Sequence, residues 1–107
     1  LIASDYRAGC PVVAVVVDAD PALPGLTDQA GEAFGRWQSV LAEMMVERGM
    51  TTTAADRLAL QSLCILEGAV AVSRARREIA PLDEAADAIR ALYEAEVGPA
   101  GAATGGG

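Results

Sequence analysis

The chain has 107 residues, 52% of them hydrophobic but only 4% aromatic, with eight basic against 15 acidic side chains. That length makes one domain with a modest core, packed mainly by alanine, valine and leucine. The net charge of −7 opposes a phosphate backbone and excludes nucleic-acid binding by this chain on its own.

Histidine and lysine are both absent, which removes the commonest general base and the commonest metal ligand. No serine can then pair with a histidine or a lysine, and a nucleophile needs such a base. Asp18 and Asp20 are a carboxylate pair at a loop end, too little for a metal site. No catalytic residue, cofactor or metal is expected. Cys10 and Cys64 form no CxxC pair and read as reduced packing residues of a cytoplasmic protein. No signal peptide is visible, and no uninterrupted apolar run reaches the ~20 residues of a membrane span.

In chain order, residues 1–8 read as the tail of a preceding helix. The chain starts without an initiator Met, as though part-way through that helix, so a missing preceding segment is expected. Gly9-Cys10-Pro11 breaks it and opens the domain proper, residues 9–97. The run from Val12 to Val17 holds five valines in six residues, which on propensity alone suggests a strand. No second strand-like segment exists to pair with it, so a short buried helix is the better reading. A loop with Pro21, Pro24 and Gly25 follows. Thr27 is a candidate cap for a helix that ends at Gly49. Its apolar face carries Ala30, Phe34, Trp37, Leu41, Met44 and Met45 at spacings of three and four. Gly31 and Gly35 either admit another backbone closely or are surface glycines.

The next helix dominates the chain. Thr53, with Asp56 three residues on, resembles a capping box, and the helix runs to about Glu78, roughly 39 Å. At about 100° per residue it shows two apolar stripes. Ala59, Leu63, Leu66 and Val70 form one; Leu60, Cys64, Gly68, Ala71 and Ala75 form the other. A surface helix needs one such stripe, so this one needs cover on two sides. The larger residues are expected to face the subunit's own core, and the smaller ones a second copy. Glu67 is the only charge in the apolar centre, suited either to a ligand or to an interface partner. Pro81 starts the last helix, where Leu82, Ala85, Ile89 and Leu92 repeat as an a/d seam. Residues 98–107 read as a flexible Gly/Ala-rich tail.

These segments resemble a known family. GCPVVAVVVDAD, GEAFGRWQSVLAEMM, LALQSLCILEGAVAVSRARRE and PLDEAADAIRALYEA, in this order and spacing, are similar to the C-terminal regulatory domain of TetR-type transcriptional repressors of the LmrA/YxaF-like branch. The resemblance covers about Tyr6 to Ala95. Its most telling pieces are Gly9-Cys10-Pro11-Val12, Phe34 with Trp37, and Leu66-Glu67-Gly68-Ala69. It implies an all-α domain whose last two long helices form a four-helix bundle with those of a second subunit. It also implies a cavity for a small, often apolar effector. Operator DNA would be bound only through an N-terminal helix-turn-helix domain that this chain lacks.

The expected function is therefore ligand sensing and dimerisation in a repressor released by a small apolar effector. Pocket candidates are Trp37, Leu41, Met44, Leu63, Leu66 and Glu67. Interface candidates are Cys64, Gly68, Ala71, Ala75, Leu82, Ile89 and Leu92. The expected partners are a second copy and an effector, with no membrane. The alternative is a free-standing helical scaffold with neither ligand nor DNA-binding role.

Overall fold

A computed structural model describes Cys10, Val12 and residues 22–106. The expected helix tail before Gly9 lies outside the described residues, as does the valine run apart from Val12, which is helical. Three helices account for the rest: α1 (Pro24–Glu47), α2 (Thr52–Arg76) and α3 (Ala80–Gly106). Among the described residues there is no strand, so this part of the chain is all-α.

Local chemistry sets each helix end. α1 begins three residues before Thr27, with Leu23 at the N-cap and no side-chain cap. Pro24 stands in its first turn, where the missing N–H costs nothing and φ is already helical. At its far end Gly49 adopts φ +99°. The Gly49 amide donates to the Val46 carbonyl at 2.9 Å, and the Met50 amide to the Met45 carbonyl at 3.1 Å. This pair of bonds is a Schellman motif, and its usual hydrophobic contact is present: Met45 packs against the cluster that contains Met50.

α2 is capped by Thr51 rather than Thr53. The Ala54 amide donates to Thr51 Oγ1 at 3.2 Å, and the Thr51 backbone is extended, as an N-cap requires. α2 ends at Arg77, which takes the left-handed conformation without being glycine (φ 53°, ψ 47°). Arg74 and Arg76 occupy the last turn, where cations suit the helix dipole. α3 is broken at Gly98 (φ 71°, ψ 174°) and its backbone resumes helical form to Gly106. A tail is the expectation over that stretch.

α2 lies in the middle, packed by α1 on one side and α3 on the other, while α1 and α3 hardly meet. They converge on Met50, Ala55 and Leu58, against which Ala42 and Met45 of α1 and Tyr93 and Val97 of α3 all pack. The Arg57 guanidinium donates to Glu96 Oε1 at 2.7 Å, tying the start of α2 to the C-terminal half of α3. The result is a slab of 49 × 32 × 18 Å with a radius of gyration of 15.8 Å. A compact domain of about 100 residues has about 13 Å.

The buried positions of α2 are Ala55, Leu58, Ala59, Ser62, Leu63, Ala69 and Ser73. Most are small, which brings the neighbouring helices close. As a whole α2 is long and apolar enough to cross a membrane (mean hydropathy 1.4), although no uninterrupted apolar run is. Its central place accounts for only part of that composition: Leu58, Ala59 and Leu63 are covered by the other two helices, but only 28% of the apolar stretch is buried.

Candidate functional site

The spacing of α1 and α2 creates a groove where they run side by side. Phe34 and Gln38, one turn apart on α1, face Leu60, Leu63, Cys64 and Glu67, which follow one another at three and four residues on α2. Side chains so spaced share one helix face. The cavity is about 270 Å³. Its lining is almost wholly apolar, and its one ionisable carboxyl group belongs to Glu67.

Glu67 Oε2 is buried and has no hydrogen-bond partner. Gln38 is held in place: its Nε2 donates to the Asp56 carbonyl and to Asp56 Oδ1, each at 3.1 Å. Among the described residues nothing satisfies that oxygen, which lies beneath the surface, and an unpaired buried acceptor is costly. Phe34 also packs edge-on against Trp37, with centroids 5.5 Å apart and planes at 88°, a favourable arrangement for two rings.

Only Leu63 and Glu67 of the six pocket candidates line this groove. Trp37 flanks it through Phe34 but is 39% exposed. Leu41 is half-buried, and Met44 is exposed further along α1. Leu66, expected to face the subunit's own core beside Leu63, is 38% exposed, so that stripe is covered only in part. Phe34, Gln38, Leu60 and Cys64 complete the lining; the first three are absent from the candidates, and Cys64 is expected at the interface. The i, i+4 pairing of Phe34 with Gln38 is the signal that could have found the α1 wall.

A second, larger hollow of about 720 Å³ opens at the α1–α2 turn and carries Glu43, Glu47, Asp56, Thr52 and Thr53. It is acidic and broad. Among the described residues no group of three or more His, Cys, Asp or Glu side chains is placed to hold a metal ion.

Next to the groove, α2 presents an exposed strip of different character. Cys64, Gly68, Ala71 and Ala75 are all exposed, with Leu60 and Val72 beside them at 50% and 43%. A Cβ added at Gly68 would meet nothing within 4 Å. On α3, Leu82 and Ile89 are half-buried along α2, and Leu92 is 36% exposed. Cys64, an interface candidate, stands at the rim shared by this face and the groove. Both cysteines are free.

Comparison with known proteins gives this arrangement a family. The model for the C-terminal domain of LmrA/YxaF-like transcriptional regulators matches residues 1–88. Uncharacterised HTH-type transcriptional regulators from two strains of Mycobacterium tuberculosis, CDC 1551 and H37Rv, are each 33% identical over 102 residues. The match takes in 91% of this chain and 53% of each relative, so the chain spans about half the length of the curated relatives it matches. No solved structure matches it significantly. Matched over most of its length by a family of transcriptional regulators, this helical layer is the C-terminal domain of such a regulator. The chain belongs to the LmrA/YxaF-like branch of the TetR family of transcriptional regulators, as their C-terminal domain.

Proposed function

We propose that this domain senses a small apolar effector and holds together the homodimer of a repressor. In this reading the full-length protein grips operator DNA through an N-terminal helix-turn-helix domain, in the cytoplasm, and lets go when the effector binds. The observation that carries the reading is the uncovered outer face of α2, where Cys64, Gly68, Ala71 and Ala75 are exposed. Small side chains allow two helix axes to approach closely. A second α2 crossing there, flanked by the α3 positions Leu82, Ile89 and Leu92, would complete a four-helix bundle.

The groove between α1 and α2 is the proposed effector site. An effector there would touch the helix that carries the dimer face, so it could favour one arrangement of the two subunits over another. The shift cannot exceed its differential affinity for the two arrangements. A gel-shift assay tests the reading: the full-length protein should retard a two-fold symmetric DNA segment from its own promoter region. The 107-residue chain alone, with its net charge of −7, should not. Failure of the full-length protein to bind any such segment would favour the free-standing scaffold.

A further inference from the structure

We infer that Gln38 is the end wall of the groove between α1 and α2, and that it sets how long a ligand the groove accepts. The inference rests on the effector site proposed above and names the residue that measures the effector.

Two hollows lie end to end along the seam of α1 and α2, and one pair of residues stands between them. Phe34 and Gln38 of α1 line the groove together with α2 residues from Leu60 to Glu67. Closer to the turn that joins the helices, Ala42 and Val46 of α1 line the broader hollow together with Thr52 and Asp56 of α2. Gln38 is thus the groove residue of α1 nearest the turn, and Asp56 is the hollow residue of α2 farthest from it. Gln38 Nε2 donates across the seam to the Asp56 carbonyl and to Asp56 Oδ1, each at 3.1 Å. The side chain that ends one hollow is tied to the residue that begins the next.

These bonds also explain how a glutamine serves in an apolar wall. They engage its amide nitrogen toward α2, so the groove meets the aliphatic stem and its lining stays almost wholly apolar. A free glutamine would swing among rotamers, whereas each bond favours the held position by about two- to tenfold. Past the wall lies about 720 Å³, more than the groove's own 270 Å³. A short apolar ligand therefore fits on the near side, and a longer one is stopped at Gln38. Without the wall its far end would run on along Ala42 and Val46.

Calorimetric titration of the full-length protein with straight-chain primary alcohols from butanol to decanol reads this length directly. For the unmodified protein affinity should rise by about two- to fourfold per added methylene and then level off. In Gln38→Ala the rise should continue past that length. Decanol should then bind at least roughly tenfold more tightly than it does to the unmodified protein, while butanol stays within about threefold. Asp56→Ala keeps every residue of the groove and removes one of the two acceptors, so it should shift the profile in the same direction and by less. Circular dichroism and light scattering show that the variants are folded and keep their oligomeric state; should Gln38→Ala not fold, Asp56→Ala decides. Coincident profiles for variants and unmodified protein would overturn the inference while leaving the groove as the effector site, as would a rise that never levels off in the unmodified protein. No binding of any alcohol would overturn the inference and the effector site together, and would leave the dimer and DNA binding untouched.

Discussion

Gly49 and Ser73 show how single residues set local stability in this domain, and in opposite senses. Gly49 holds φ +99° to close the Schellman motif that turns α1 into α2. A Cβ there meets no neighbour, so the penalty of Gly49→Ala is purely conformational, about 1–2 kcal/mol. Denaturant unfolding of that variant should show a lower midpoint with an unchanged slope. Ser73 is the reverse case: it is fully buried, and its hydroxyl has no partner. Removing an orphaned hydroxyl, so that Cβ becomes a methyl group, removes a desolvation cost of about 1–3 kcal/mol and improves helix propensity. Ser73→Ala should therefore raise stability by about 1 kcal/mol in the same assay, and a loss would mean that the hydroxyl has a partner in the assembled protein. Glu67 stood out from sequence as the only charge in an apolar stretch. Its unpaired oxygen did not, because pairing depends on which side chains another helix brings.

Among the helices, α1 carries Gly31 and Gly35 one turn apart, and within the subunit neither is approached by anything within 4 Å of a built Cβ. Both lie on exposed positions. Gly31→Ala and Gly35→Ala should each stabilise the domain by about 0.5–1 kcal/mol, seen as a rise in the thermal midpoint. A drop would show that another chain packs against them. The starts of the three helices and the ends of α1 and α2 were readable from sequence to within a few residues, because proline, threonine and glycine punctuate them. The misses have local causes. Three consecutive threonines precede α2, and sequence alone does not say that Thr51, rather than Thr53, meets an amide three residues on. Thr27 looked like a cap, but Pro24 already favours helix one turn earlier. The groove was harder to foresee. Its lining depends on the rotation of α1 against α2, and that rotation brings Phe34 and Gln38 to the seam while leaving Trp37, Val40 and Met44 exposed.

As an assembly, the domain is a flat layer with a small core. Among the described residues Leu58 is the one large apolar side chain under 2% exposed, and the buried set is otherwise dominated by alanine. Such a layer gains stability by covering its remaining apolar faces. The proposal assigns the outer face of α2 to a second copy and the groove beside α1 to an effector, so that one helix serves both. Sequence suggested the need for two-sided cover, since α2 has too much apolar surface for one neighbour.

The dimer is tested most directly at Gly68, an exposed position whose Cβ would meet open space in the subunit. Gly68→Leu should leave each subunit folded, and even favour its helix by up to about 1 kcal/mol. At a two-fold contact it inserts two bulky side chains where small ones meet, at about 1–3 kcal/mol for each overpacked site. Sedimentation equilibrium of the full-length protein should find a dimer, and the Gly68→Leu variant should dissociate with a constant at least roughly tenfold higher. A monomer before substitution at micromolar concentration, or a dimer that Gly68→Leu leaves equally tight, would contradict the account.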